Sequence, residues 1–173
     1  DVRIMRVNLE SMLFELTDLK SREWNPLSYN ASLANSIYQL TSRDFAPAEQ
    51  RLRSAIGRLN ALPGVLAQLK ANLRNPPRVH TETAIQQTTG GINLVKTGLD
   101  PLLEKAPAAL KSEVAAAQAK AIAALEAHKR WLEQDVLPTA NGEFRLGAER
   151  FRKKLRFALD SDLTPEELLA RCE

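Results

Sequence analysis

The sequence predicts an all-α fold: a multi-helix, mostly antiparallel bundle around one long alanine-rich helix. Three observations carry this expectation. Residues 107–137 hold ten alanines and no glycine. Elsewhere apolar side chains recur at steps of three and four, as on one face of a helix. No stretch of useful length alternates apolar and polar residues as a half-buried strand does, and no clean internal repeat is present.

Taken in order, residues 1–20 carry Met5, Leu9, Met12, Leu13, Leu16 and Leu19 at helical spacing. Trp24-Asn25-Pro26 breaks that segment and starts the next, with Asn25 as N-cap and Pro26 in the first position. Leu33, Ile37 and Leu40 share a face there, near Tyr29 and Tyr38. Residues 42–45 form a short connection. Pro47 opens a third helix with Leu52, Ile56 and Leu59 inward. Pro63 lacks an N–H, so Leu62-Pro63 is expected to interrupt this helix. A further helix then restarts through Val65, Leu66, Leu69 and Leu73.

Asn75-Pro76-Pro77 is the clearest loop. Thr81 is the expected N-cap of the helix that follows, with Ile85, Ile92, Val95 and Leu99 as its stripe. Gly90-Gly91 sits inside that stripe, each glycine costing about 1 kcal/mol against alanine. The pair marks either backbone open to a ligand cleft or a kink or close helix crossing. Asp100-Pro101 and Ala106-Pro107 bracket a short helical turn.

The long helix at 107–137 would run about 45 Å. Alanine has the best intrinsic helix propensity, Pro107 suits the first turn, and Pro138 stops the ladder. Leu110, Val114, Ala117, Ala121, Leu125, His128 and Leu132 form one stripe whose alanine centre admits a close neighbour. Residues 139–142 read as a turn. Residues 146–159 are amphipathic, with Phe151, Leu155 and Leu159 on one side. Thr164-Pro165-Glu166-Glu167 is a capping box in which Thr164 caps and Glu167 reaches back.

The totals bound the function classes. With 173 residues, 44% hydrophobic and 26% charged, the chain has ordinary globular composition. A net charge of +3 and 5% aromatics fall short of a dedicated nucleic-acid binder, so no nucleic-acid partner is expected. No apolar run reaches about 18 residues, so no membrane span is expected. Cys172 is the lone cysteine and leaves the redox compartment open. Cytoplasm and export both stay open. The chain opens without a helix cap and closes about two turns after a helix start. It therefore reads as a single helical segment, residues 1–173, of a longer protein.

Candidates for chemistry are few. Zinc sites want two or three close ligands, commonly two histidines one helical turn apart. Only His80 and His128 are present, in different elements, and with Cys172 they form no ligand spacing. No metal site is expected in this segment, and His128 reads as a core-edge residue. No serine or threonine has a histidine at suggestive spacing, and Gly90-Gly91 lacks the lysine of a phosphate loop, so no catalytic residue is expected. Arg78, His80, Thr81 and Glu82 form the densest polar cluster. They read either as a cleft wall, with Arg78 holding a carboxylate beside a helix N-terminus, or as plain helix capping. Arg145, Arg150, Arg152, Lys153, Lys154 and Arg156 form a basic run with Phe144 and Phe151 interleaved. It reads either as a contact surface or as a solvated face paired with acids such as Glu143 and Glu149.

Four phrases carry a family resemblance: NPLSY at 25–29, LTSRDFAPAEQRLRSAIGRLNALPGVLAQLKANL at 40–73, NPPRVHTETAIQQ at 75–87, and GEFRLGAERFRKKLRFALDSDLTPEELLARC at 142–172. In this order they resemble the amino-terminal half of the bacterial domain-of-unknown-function family 885. Full-length members look like helical zinc-peptidase-like proteins, similar to carboxypeptidase-type zincins, with a His-Glu signature nearer the carboxyl end. No such signature occurs here, so no catalytic residue carries over. The resemblance implies a non-catalytic helical scaffold lining a substrate cleft. Zinc would belong to the full-length protein, and the carboxy-terminal half and a peptide substrate would be its partners. The alternative is a helical protein-binding module whose contact helix is the basic run and which has no enzymatic activity.

Overall fold

The computed structural model describes residues 2–104 and 106–172. Asp1, Lys105 and Glu173 lie outside the described residues, so the first residue of the expected opening helix and the last of the closing one are not placed. The described residues are helical and contain no strand. The helices are α1 (Val2–Phe14), α2 (Leu27–Thr41), α3 (Ala48–Asn72), α4 (Arg78–Thr97), α5 (Asp100–Leu103), α6 (Ala108–Trp131), α7 (Gly147–Leu159) and α8 (Pro165–Ala170). Residues 22–142 form one compact unit; residues 1–21 and 143–173 form a second.

In the larger unit the alanine-rich helix is the centre. Every member of the expected α6 stripe, Leu110, Val114, Ala117, Ala121, Leu125, His128 and Leu132, is buried. Ala117 and Ala121 present only methyl groups, and α3 and α4 both pack on α6. The core joins Leu52, Ala55, Leu59, Leu62 and Leu66 of α3 to Ile92 and Val95 of α4 and to Ile37 and Leu40 of α2. Each fully buried leucine contributes roughly 1.5–3 kcal/mol.

That burial corrects one expectation. Pro63 does not interrupt its helix: α3 runs unbroken from Ala48 to Asn72 with Pro63 inside. Leu59 and Leu62 before the proline, and Leu66 and Leu69 after it, are all buried on one face. The proline's cost of about 3 kcal/mol is smaller than the burial that a straight helix gains on both sides. Val65 falls on the outer face and is exposed.

The end of α6 also differs from a plain stop at Pro138. After Trp131 the helix widens into a π turn, Leu132–Val136, and tightens into a 3-10 turn, Leu137–Thr139, that holds Pro138. A proline near the end denies the ladder one donor, and local widening and tightening absorb the mismatch. Residues 140–146 are irregular rather than the expected turn. Gly142 N–H donates to Pro76 C=O at 3.2 Å. A Cβ on Gly142 would sit 2.0 Å from the Asn75 carbonyl oxygen, so only glycine allows this approach.

Helix ends are tied by side chains from other elements. Arg51 of α3, itself buried, donates to Leu40 C=O at 3.2 Å and Arg43 C=O at 2.9 Å at the end of α2, and pairs with Asp44 at 2.7 Å. Gln118 of α6 donates to Val95 C=O at 2.7 Å near the end of α4. These donors satisfy the Leu40 and Val95 carbonyls at the ends of their helices and the Arg43 carbonyl in the connection after α2. Just before α2, the Asn25 side chain accepts from Leu27 N–H at 3.1 Å, but the helix starts at Leu27, so Pro26 and not Asn25 holds the cap position. Asn30 ties α2 to α4 by donating to Ala84 C=O at 3.0 Å.

In the smaller unit, α1 leads into a π turn, Glu15–Leu19, and pairs with α7. Phe14 and Leu19 are buried, and the Phe14 and Phe157 rings lie 5.6 Å apart. The helical spacing of Met5, Leu9, Met12, Leu13 and Leu16 is confirmed, but their side chains are exposed; of the expected stripe only Leu19 is buried. Phe151 and Leu159 are likewise exposed, and Phe157 takes the inward place on α7. The capping box forms as expected: Glu167 N–H donates to Thr164 Oγ1 at 3.1 Å, and Thr164 N–H to Glu167 Oε2 at 2.8 Å. Among the described residues no helix is long and apolar enough to cross a membrane.

Candidate functional site

The cluster that follows the double proline begins with backbone geometry. Pro76 and Pro77 are both buried, and Pro77 is extended (φ −63°, ψ 142°), so α4 starts abruptly at Arg78. Thr81 is therefore not the N-cap. It lies within the first turn of α4, fully buried, and its hydroxyl donates back to Pro77 C=O at 3.0 Å. That back-bond uses the hydroxyl that a cap would offer to an N–H. Arg78 Nε donates to Glu82 Oε1 at 3.0 Å one turn along the exposed side of the helix.

His80 turns the other way. Its ring stacks on Trp24, with centroids 5.7 Å apart and planes 22° apart. Partial burial pushes its pKa below the ordinary histidine value, because desolvation disfavours the imidazolium. Trp24 was visible in the sequence only as part of a break. Its partnership with His80 spans 56 positions, and no local pattern announces it. Next to it, Arg74 N–H donates to Glu23 C=O at 2.8 Å, and the Arg74 guanidinium lies 3.7 Å from the Glu23 carboxylate. The loop between α3 and α4 thus has the Trp24–His80 stack and the Arg74–Glu23 pair on one side and the Arg78–Glu82 pair on the other. It holds no activated nucleophile.

His128 is more deeply buried than a core-edge residue. It is 3% exposed, and neither ring nitrogen has a hydrogen-bond partner among the described residues. Its ring meets Trp131 at 5.5 Å, while Lys70 Nζ sits 4.8 Å over the Trp131 ring. Burial first, and the Lys70 charge second, lower its pKa to about 4. His80 is thus occupied with Trp24, His128 is enclosed beside Trp131, and Cys172 is exposed just beyond α8. Among the described residues no three His, Cys, Asp or Glu side chains gather as a metal site. Among the described residues the donor set does not fit zinc.

The basic run is placed on and just before α7. Arg145 pairs with Glu143 at 3.4 Å, Arg152 with Glu166 at 3.1 Å, and Arg156 with Asp162 at 3.0 Å. Lys153 lies between Glu149 at 3.6 Å and Asp18 at 3.8 Å. Arg150 and Lys154 belong to no ion pair among the described residues. At Gly90-Gly91, α4 continues without a break. An open groove of about 360 Å³ runs beside the pair, walled by Leu33 and Ala34 of α2 and Leu94 of α4.

Comparison with known proteins adds three findings. The profile of a family described as bacterial protein of unknown function (DUF885) matches residues 1–173. A solved structure from Shewanella oneidensis, described as a candidate lipoprotein of unknown function, is similar with a TM-score of 0.81 and 28% identity. The match covers 97% of this chain but only 31% of that one, so the chain spans less than a third of its length. No curated protein matches the chain significantly.

Proposed function

The chain belongs to the bacterial DUF885 family, and from that premise we propose that it is the non-catalytic amino-terminal helical scaffold of a zinc-dependent, carboxypeptidase-like peptidase. It lines one side of the substrate cleft, and zinc and its ligands belong to the part of the longer protein that follows. The observation that carries this reading is the fate of the reactive side chains. Both histidines and Thr81 are committed to stacking, burial or backbone bonding, whereas Arg78 and Glu82 are exposed on a rigid helix start. In this role Arg78 exchanges Glu82 for a substrate carboxylate, held by a charge-assisted bond, while His80 and Thr81 fix the wall behind it.

The test is kinetic. In the longer gene product, Arg78→Gln is expected to raise KM for peptides by about tenfold and leave kcat within about twofold, the signature of lost uniform binding. Unchanged KM, or absence of peptide cleavage by the wild-type protein, refutes the reading. The alternative of a binding module with a basic contact helix is weakened by the pairing of Arg145, Arg152, Lys153 and Arg156 with nearby carboxylates. Of the basic run, Arg150 and Lys154 alone belong to no ion pair among the described residues.

A further inference from the structure

In the smaller unit, α1 carries its apolar stripe on the wrong side for its own core. Val2, Met5, Leu9, Met12 and Leu16 step by three, four, three and four, so they form one line about 20 Å long. Each is more than half exposed, and Leu13 beside them is too. The opposite face does the packing, through Phe14 and its contact with Phe157. A contiguous apolar surface of this extent on a soluble protein marks an interaction site.

The stripe continues into a groove of about 440 Å³ whose walls include Met12, Leu16, Leu19, Phe157 and Lys154. Apolar side chains line most of the groove, together with Ser11, Glu15 and Lys154. There Lys154, unlike its neighbours Arg152, Lys153 and Arg156, has no carboxylate partner among the described residues. A line of apolar anchors flanked by one cation, Lys154, and one carboxylate, Glu15, fits an amphipathic helix that brings apolar side chains at helical spacing and charged groups of both signs at its edge.

We propose that the outward face of α1 and this groove dock an amphipathic helix from the polypeptide that follows residue 173. The proposal rests on the scaffold reading above. The length of the similar Shewanella oneidensis protein favours this occupant: the matched region fills only 31% of that chain, so most of that chain lies outside it. A tethered segment also meets its site at high effective concentration, which a free partner lacks.

The two methionines of the chain, Met5 and Met12, both lie on the stripe and serve as built-in probes. The experiment compares hydrogen peroxide oxidation of each, read by mass spectrometry, in the 173-residue chain and in the longer gene product. Both are expected to oxidise readily in the short chain and at least about tenfold more slowly in the long one. Leu9→Gln should leave the melting temperature of the short chain unchanged and lower that of the long one. Equal oxidation rates in the two proteins overturn the proposal. So does protection in the short chain that grows with its concentration, which would identify a second copy as the occupant, or protection that appears only on adding anionic lipid vesicles. A gene that ends at residue 173 overturns it as well. None of these readouts depends on zinc or peptide cleavage, so the docking claim fails or survives separately from the peptidase reading.

Discussion

Acidification should destabilise this protein through His128. The imidazole is 3% exposed, its nitrogens have no partner among the described residues, and Lys70 lies close by. Folding therefore holds it neutral, with a pKa of about 4 against an ordinary value of 6.5. The unfolded chain binds the proton more readily between these values, so stability falls as the medium becomes more acid. The contribution is fully present above about pH 6.5 and is lost progressively toward about pH 4. The gap converts to about 2 kcal/mol at pH ~5 and about 3 kcal/mol near pH ~4, a large part of a typical folding free energy. Glu143, Glu166 and Glu167 are held below the usual range by hydrogen bonds, chiefly from backbone N–H groups. A comparison with His128→Leu cancels their share. Urea denaturation followed by far-ultraviolet circular dichroism at about pH 7, 6 and 5 measures both proteins. Between about pH 7 and 5 the wild type is expected to lose about 2 kcal/mol more than His128→Leu. Parallel pH dependences would refute the buried, neutral imidazole.

Other substitutions probe the frame that holds the site. Pro63→Ala should raise stability by about 1–3 kcal/mol, because α3 already runs through this position without the missing hydrogen bond; a loss would show that the proline sets a needed bend. Gly142→Ala should lower stability by about 1–3 kcal/mol, since its Cβ would enter the Asn75 carbonyl; a neutral effect would contradict that close approach. Arg51→Met should cost about 2–4 kcal/mol in a denaturant titration, because the Leu40 and Arg43 carbonyls lose their buried donor; a change below about 0.5 kcal/mol would deny it a capping role.

The legible parts of the fold are those where local chemistry and burial agree. The α6 stripe is an example: strong propensity and a regular apolar spacing both call for one helix, and every stripe residue is buried. The capping box at Thr164 is local as well, and it forms. Pro63 illustrates the opposite case. Its local rule calls for a break, and four buried leucines on both sides outweigh it. Thr81 fails as a cap for a related reason: the double proline sets the helix start earlier and leaves the threonine inside the first turn. On α1 the period was readable but the direction was not. A stripe shows which residues share a face, and only the neighbouring elements decide whether that face is covered. At the candidate site, the Arg78–Glu82 pair follows from a spacing of four. The His80–Trp24 stack and the Lys70–Trp131–His128 group join residues distant in the chain, or turn on burial that no spacing reveals.

The most direct test of the central claim, that this bundle supplies walls while zinc chemistry resides elsewhere, is metal analysis of two purified proteins. One is the 173-residue chain and the other the longer gene product, each measured by inductively coupled plasma mass spectrometry after dialysis against zinc-free buffer. The account predicts close to stoichiometric zinc in the longer protein and only background zinc in the short chain. Stoichiometric zinc in the short chain, or background zinc in both, would contradict it.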